Sequence, residues 1–183
     1  MIRELDHGEI RDAVAATRGD VLLHVGASLM LLAGLRASEV AGLLVQDWQS
    51  GDDPKLTVDR TRQGRTIRVA PSADALIGAY LAGEDAELDE PLLLGLKVQG
   101  VKHMLPNLFQ EVMKRGGWHV DVHDLRHAAV AAVLETGAPM RHVEAYFGIS
   151  KTDLGRKDLV PIREGYDREI AAVLEEAFGG LQP

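Results

Sequence analysis

At 183 residues, with hydrophobic residues at 46% and charged residues at 26%, the chain has room for one domain with a sizeable core but not for two full ones. Aromatics make up only 4% and cysteine is absent, so Leu, Val and Ala must build the core, which favours helices, while disulfides and thiolate metal sites are excluded. A net charge of −8 argues against broad, non-specific nucleic-acid binding, although base concentrated in one place could still serve a local site.

Met1-Ile2-Arg3-Glu4-Leu5-Asp6 lacks the apolar run of a secretory signal. The longest apolar stretch, from Ala27 to Leu35, is too short to span a bilayer, so no membrane role and a cytoplasmic location are expected. Asp6-His7-Gly8-Glu9 has the spacing of a capping box, and Ile10, Ala13, Val14 and Thr17 follow on one helical face. Gly19-Asp20 interrupts that helix and starts a second, from Val21 to Leu35, apolar nearly all round and therefore expected in the core. Ser38 reads as the N-cap of a short helix through Leu43.

The pattern then changes. Lys55 to Val58 and Thr66 to Val69 read as strands with Gln63-Gly64 near the turn, and Leu44 to Trp48 offers a third. Ser72 reads as the cap of a helix from Ala73 to Ala82. Gly83 to Lys102 is acidic and then Leu-rich without clean periodicity, a loop with one short ordered piece. Pro106 predicts the first turn of a helix to Arg115, ended by Gly116-Gly117. His123-Asp124 opens the next, to Thr136. Met140 to Phe147 is a short helix stopped by Gly148, Thr152 to Lys157 offers another, and Gly165 to Phe178 is the last. The expected fold class is α+β, mainly α-helical with a small three-stranded antiparallel sheet, in a single domain over residues 1–183.

Two segments carry chemistry. Gly34-Leu35-Arg36-Ala37-Ser38-Glu39 and His123-Asp124-Leu125-Arg126-His127 each place an Arg beside a helix boundary, and the second sets a His three positions before its Arg. Two guanidiniums and an imidazole make a cradle suited to one phosphate, because Arg presents a planar fork of donors and keeps its charge at any working pH. Such a cradle suits a phosphodiester that gains negative charge in its transition state. Base is also concentrated around Arg60, Arg62, Arg65 and Arg68 on the expected hairpin.

In type, order and separation these motifs resemble the tyrosine recombinase, or phage integrase, family, over roughly Asp6 to Phe178. The resemblance implies a catalytic domain in which a phenol oxygen attacks a DNA phosphate, leaving a phosphotyrosyl link and a free 5′-hydroxyl, with no metal and no cofactor. By the same resemblance Arg36 and Arg126 would hold the non-bridging oxygens, His123 would donate a hydrogen bond or shuttle a proton, and Glu39 would orient Arg36. DNA is the implied partner, with Arg60, Arg62, Arg65 and His127 as DNA-touching residues. The N-terminal DNA-clamping domain usual in the family is expected to be absent. The acidic last helix is the expected site of any self-association.

The chain also departs from the family pattern. The hairpin Lys of the family falls at Arg62, and Arg is a poor general acid; the hairpin arginines are expected to be solvated groups that touch phosphate. Ile149 stands where the family places a His after Gly148. Lys157 or Asp158 falls where the nucleophilic Tyr belongs. Of the three tyrosines, Tyr80 and Tyr146 suit core packing, which leaves Tyr166 as the candidate nucleophile, farther from Arg126 than the family habit. A rival pattern, His123 and His127 at i and i+4 with His119 as a third ligand, would suit zinc, but it leaves Gly34 to Glu39 unexplained.

Overall fold

In the computed structural model residues 6–59, 64–93, 101–149 and 161–181 are described. The apolar segment after Asp20 forms α2 (Val21–Leu32), buried on nearly every side, and the other elements are arranged around it. Asp20 caps it by accepting from Leu23 N–H at 3.0 Å. Before it, α1 (His7–Ala15) opens on the expected capping box, with Asp6 accepting from Glu9 N–H and Glu9 from Asp6 N–H. A 3₁₀ turn at Ala16–Gly19 joins the two helices. The second helix ends three residues earlier than its apolar run suggests, because Gly34 takes φ 60° and turns the chain.

Next comes α3 (Ala37–Gly42), whose N-cap position is Arg36 rather than Ser38. The sheet is antiparallel in the order β1 (Trp48–Gln49), β2 (Lys55–Val58), β3 (Arg65–Arg68). Leu56 pairs with Ile67 and Val58 with Arg65, so Leu56, Val58 and Ile67 share the buried face. The third strand therefore overlaps the segment expected for it only at its last residue, Trp48. Leu44 instead makes an isolated bridge to Pro91, and the acidic loop runs alongside with Val45 N–H on Glu90 O and Gln46 N–H on Leu88 O.

The next helix, α4 (Pro71–Leu81), has Pro71 in its first turn and Ala70 as N-cap, so Ser72 lies inside it. The following helix, α5 (Val101–Gly116), begins before Pro106 and carries that proline in its interior, against the expectation that Pro106 opens it. Leu105, Phe109 and Met113 bury its inner face, and burial outweighs the lost backbone bond. Three more helices follow: α6 (Val122–Glu135), α7 (Met140–Phe147) and α8 (Tyr166–Phe178). The helix expected from Thr152 to Lys157 lies outside the described residues, as do Arg60, Arg62, Lys157 and Asp158.

The last helix is fastened to its own domain. Ile170, Ala171, Leu174 and Phe178 bury its apolar face, and α8 packs on α2, α6 and α7. Asp167 accepts from Arg68 N–H at 3.0 Å and from Arg68 Nη1 at 2.8 Å, which ties its first turn to β3. Glu175 accepts from Ser72 N–H at 2.9 Å and Ser72 Oγ at 2.7 Å, capping the start of α4 from a distant element. The fold is the mainly helical α+β arrangement with a three-stranded antiparallel sheet.

Candidate functional site: an arginine cluster on one carboxylate

Glu39 is the hub. At the third position of α3 it reaches back so that Oε2 accepts the Arg36 backbone N–H at 2.8 Å, a carboxylate at a helix N-terminus where the dipole favours it. Its side chain is only 9% exposed. Three guanidiniums from three elements surround it. Arg65 Nη1 donates to Oε1 at 2.9 Å and Nη2 to Oε2 at 3.4 Å, Arg36 Nη1 lies 3.4 Å from Oε1, and Arg126 Nη1 lies 3.7 Å from Oε2. Burial alone would push the Glu39 carboxyl up. The hydrogen bonds from Arg65 and the Arg36 backbone, with the charges of Arg65 and Arg126, outweigh it and hold Glu39 below the usual carboxylate value.

The second anchor is the end of α7. Its last carbonyls each take a different arginine: Tyr146 O accepts from Arg65 Nε at 2.8 Å, Phe147 O from Arg126 Nη2 at 2.6 Å, and Gly148 O from Arg36 Nη2 at 3.1 Å. A helix C-terminus offers unpaired carbonyls and partial negative charge, so it suits three cations. Gly148 ends the helix in the left-handed conformation, φ 61°. A Cβ there would lie 2.5 Å from Arg65 Nη1, so the residue must lack one for Arg65 to pass. Arg126 also donates to Gly34 O at 2.6 Å, which links the α2–α3 turn to α6.

Three positive charges against one carboxylate leave a surplus. Burial, then repulsion from Arg36 and Arg65, partly countered by Glu39, lowers the pKa of Arg126 to about 10. It stays charged at neutral pH, in a place where an added anion would relieve the repulsion. The three arginines differ in access. The side chain of Arg36 is 48% exposed, whereas Arg126 is 13% and Arg65 16% exposed. Arg65 is thus not the solvated hairpin group expected of it. In β3 it shares a face with buried Ile67, so strand alternation turns it inward. That period-2 signal lay in the sequence, and the Gly64 turn beside it hid it.

His123 stands one turn before Arg126 on α6, and at i and i+3 the two share a face. It is exposed, with its backbone N–H on Asp121 Oδ1 at 2.7 Å. Asp121 caps the helix and Asp124 completes the box by accepting Asp121 N–H at 2.8 Å, so Asp124 has a structural task. His127 is exposed one turn further on. Among the described residues no three His, Asp or Glu side chains gather closely enough to hold a metal ion, so the zinc reading of His119, His123 and His127 has no geometric support.

Tyr166 opens α8. Its ring is tilted on the buried His142 ring, centroids 5.2 Å apart, in a groove of about 280 Å³ also lined by Val133, Pro139 and Ile170. Burial and then the neighbouring Asp167 charge raise its phenol above the ordinary value, with Arg65 opposing. Tyr146 is fully buried and donates to Arg68 O at 2.8 Å, a core residue as expected. Tyr80 packs part-buried against the core. Ile149, next to the cluster, is exposed.

Residues 3–153 match the model of the Phage integrase family. The chain belongs to that family, the tyrosine recombinases. Tyrosine recombinase XerC of Mycobacterium tuberculosis is 32% identical over 130 residues, covering 67% of this chain and 44% of the relative, so the chain spans less than half of that protein. Among solved structures, XerA recombinase superposes with a TM-score of 0.66 at 20% identity over 94% of this chain and 65% of that one. A lambda integrase dimer bound to a COC′ core site gives 0.59 at 15% identity, over 88% of this chain and 62% of that one. Among the described residues no helix is long and apolar enough to cross a membrane.

Proposed function

We propose that this chain acts on DNA as the catalytic-type domain of a site-specific recombinase or integrase, gripping one backbone phosphate with Arg36 and Arg126. His123, which shares a face of α6 with Arg126, would donate to the same group, and Glu39 would orient the cluster. The observation that carries this reading is the surplus charge: three guanidiniums share one carboxylate, and Arg36 leaves half its side chain open to solvent. Family membership supports it, as does the COC′ core site bound by a lambda integrase of the same fold. His127, exposed on α6 one residue after Arg126, would meet the same backbone.

Strand cleavage is a separate claim. For Tyr166 to attack, its phenol must leave the His142 ring and lose a proton that burial and Asp167 hold on it. In the packing seen here Tyr166 is a part-buried groove residue, and this observation favours a domain that grips without cutting. Incubation with nicked suicide duplexes decides between the two. A covalent adduct abolished by Tyr166→Phe would establish cleavage by Tyr166, and retained DNA binding with no adduct is the expected result. Failure to bind any duplex at low salt would remove the DNA reading altogether. Self-association through α8 would have to use its outer residues, such as Glu169 and Glu176, because its apolar face is already buried in its own chain.

A further inference from the structure

We infer that Arg65 is a positioning residue for the phosphate grip: by occupying Glu39 it keeps that carboxylate from closing on Arg36, so that the Arg36 guanidinium stays available. The inference rests on the reading of Arg36 and Arg126 as phosphate-holding groups, and it takes Arg65 out of the set that touches DNA.

The distances around Glu39 carry it. Each carboxylate oxygen has one short partner. Oε1 lies 2.9 Å from Arg65 Nη1, and Oε2 lies 2.8 Å from the Arg36 backbone N–H. The guanidiniums of Arg36 and Arg126 stand farther off, at 3.4 and 3.7 Å. Every nitrogen of the Arg65 guanidinium has a protein acceptor, with Nε on Tyr146 O at 2.8 Å and Nη2 on Glu39 Oε2 at 3.4 Å. Each of its nitrogens is engaged inward, whereas the Arg36 side chain is 48% exposed. A nearly buried carboxylate stripped of its closest cation must find another, since an unpaired buried charge is costly. The nearest is Arg36 Nη1, which already faces the same oxygen that Arg65 holds. Loss of Arg65 therefore draws Arg36 onto Glu39 and away from solvent. Gly148 is part of the device, because a side chain there would collide with the Arg65 guanidinium.

The test is a double-mutant cycle read by fluorescence anisotropy on a labelled duplex DNA of arbitrary sequence, titrated with salt. Arg65→Gln should weaken binding roughly eightfold at 0.1 M salt and flatten the slope of log K against log salt by about 0.9, the signature of one lost phosphate contact. In a Glu39→Gln background the same substitution should change affinity less than about twofold, since no carboxylate remains to capture Arg36. Arg65→Lys keeps the charge but cannot span both oxygens of Glu39 and the Tyr146 carbonyl, so it should also weaken binding only when Glu39 is present. It carries the same cycle should Arg65→Gln fail to melt cooperatively. Equal losses in both backgrounds would mean that Arg65 meets DNA itself, and no loss in either would mean that it positions nothing; both overturn the assignment. A wild-type chain that binds no duplex at low salt would instead overturn the phosphate reading, and this assignment with it.

Discussion

Gly34→Ala should destabilise the domain strongly, because two independent penalties fall on one atom. Gly34 sits at φ 60°, where an L side chain costs about 1–2 kcal/mol. The added Cβ would also fall well inside contact distance of Phe147 Cε1 and Cδ1, with Ala129 Cβ on another side at 3.5 Å. Phe147 is fully buried and packs edge-on against Tyr146, ring centroids 5.0 Å apart, so its ring has little room to retreat. Overpacking of this kind costs about 1–3 kcal/mol. Together these give roughly 2–5 kcal/mol, or a fall in Tm of about 5–15 °C for a domain of this size. The Gly34 carbonyl also holds Arg126 at 2.6 Å, so DNA affinity should fall even at temperatures where the variant stays folded. Thermal unfolding followed by circular dichroism measures the first effect. A Tm within 2 °C or so of the wild type would refute the reasoning, since it would mean that neither the turn geometry nor the contact with Phe147 constrains this position.

Glu39 titrates below its ordinary value of 4.5 when folded, so the stability it contributes is present above that pH and is lost as pH falls through its depressed folded value. Glu39→Gln should therefore lose stability less steeply than the wild type below pH 4.5, as urea unfolding at stepped pH would show; parallel curves would contradict this. Asp167→Asn removes a charge that raises the Tyr166 phenol, so the ionisation assigned by comparison with Tyr166→Phe in an ultraviolet titration should move to lower pH. Glu175→Ala strips the acceptor from Ser72 N–H and Oγ at the start of α4 and should cost about 1–2 kcal/mol in chemical unfolding, close to the loss of an N-cap.

What the sequence reveals of this site divides along local and non-local lines. Arg36, Arg126 and Glu39 are legible because each sits in a short motif beside a helix boundary, and the structure brings all three together. The capping box at Asp6 and the αL stop at Gly148 are local rules too, and both are found in place. Arg65 is not legible as a member of the cluster, since its partners Glu39 and Tyr146 O come from α3 and α7, and only folding makes them neighbours. Ser38 misleads for a related reason: the Glu39 carboxylate satisfies the Arg36 backbone, so the helix starts two residues earlier without a hydroxyl cap. Pro106 misleads because tertiary burial of Leu105 and Phe109 extends α5 past a residue that local preference puts at its start.

A crystal structure of the domain on a short DNA duplex tests the account most directly. It should show one backbone phosphate within hydrogen-bonding reach of the Arg36 and Arg126 guanidiniums, with His123 facing it and Arg65 still paired to Glu39. A duplex lying on another face, with Arg36 still bonded only to Glu39 and Gly148 O, would contradict it.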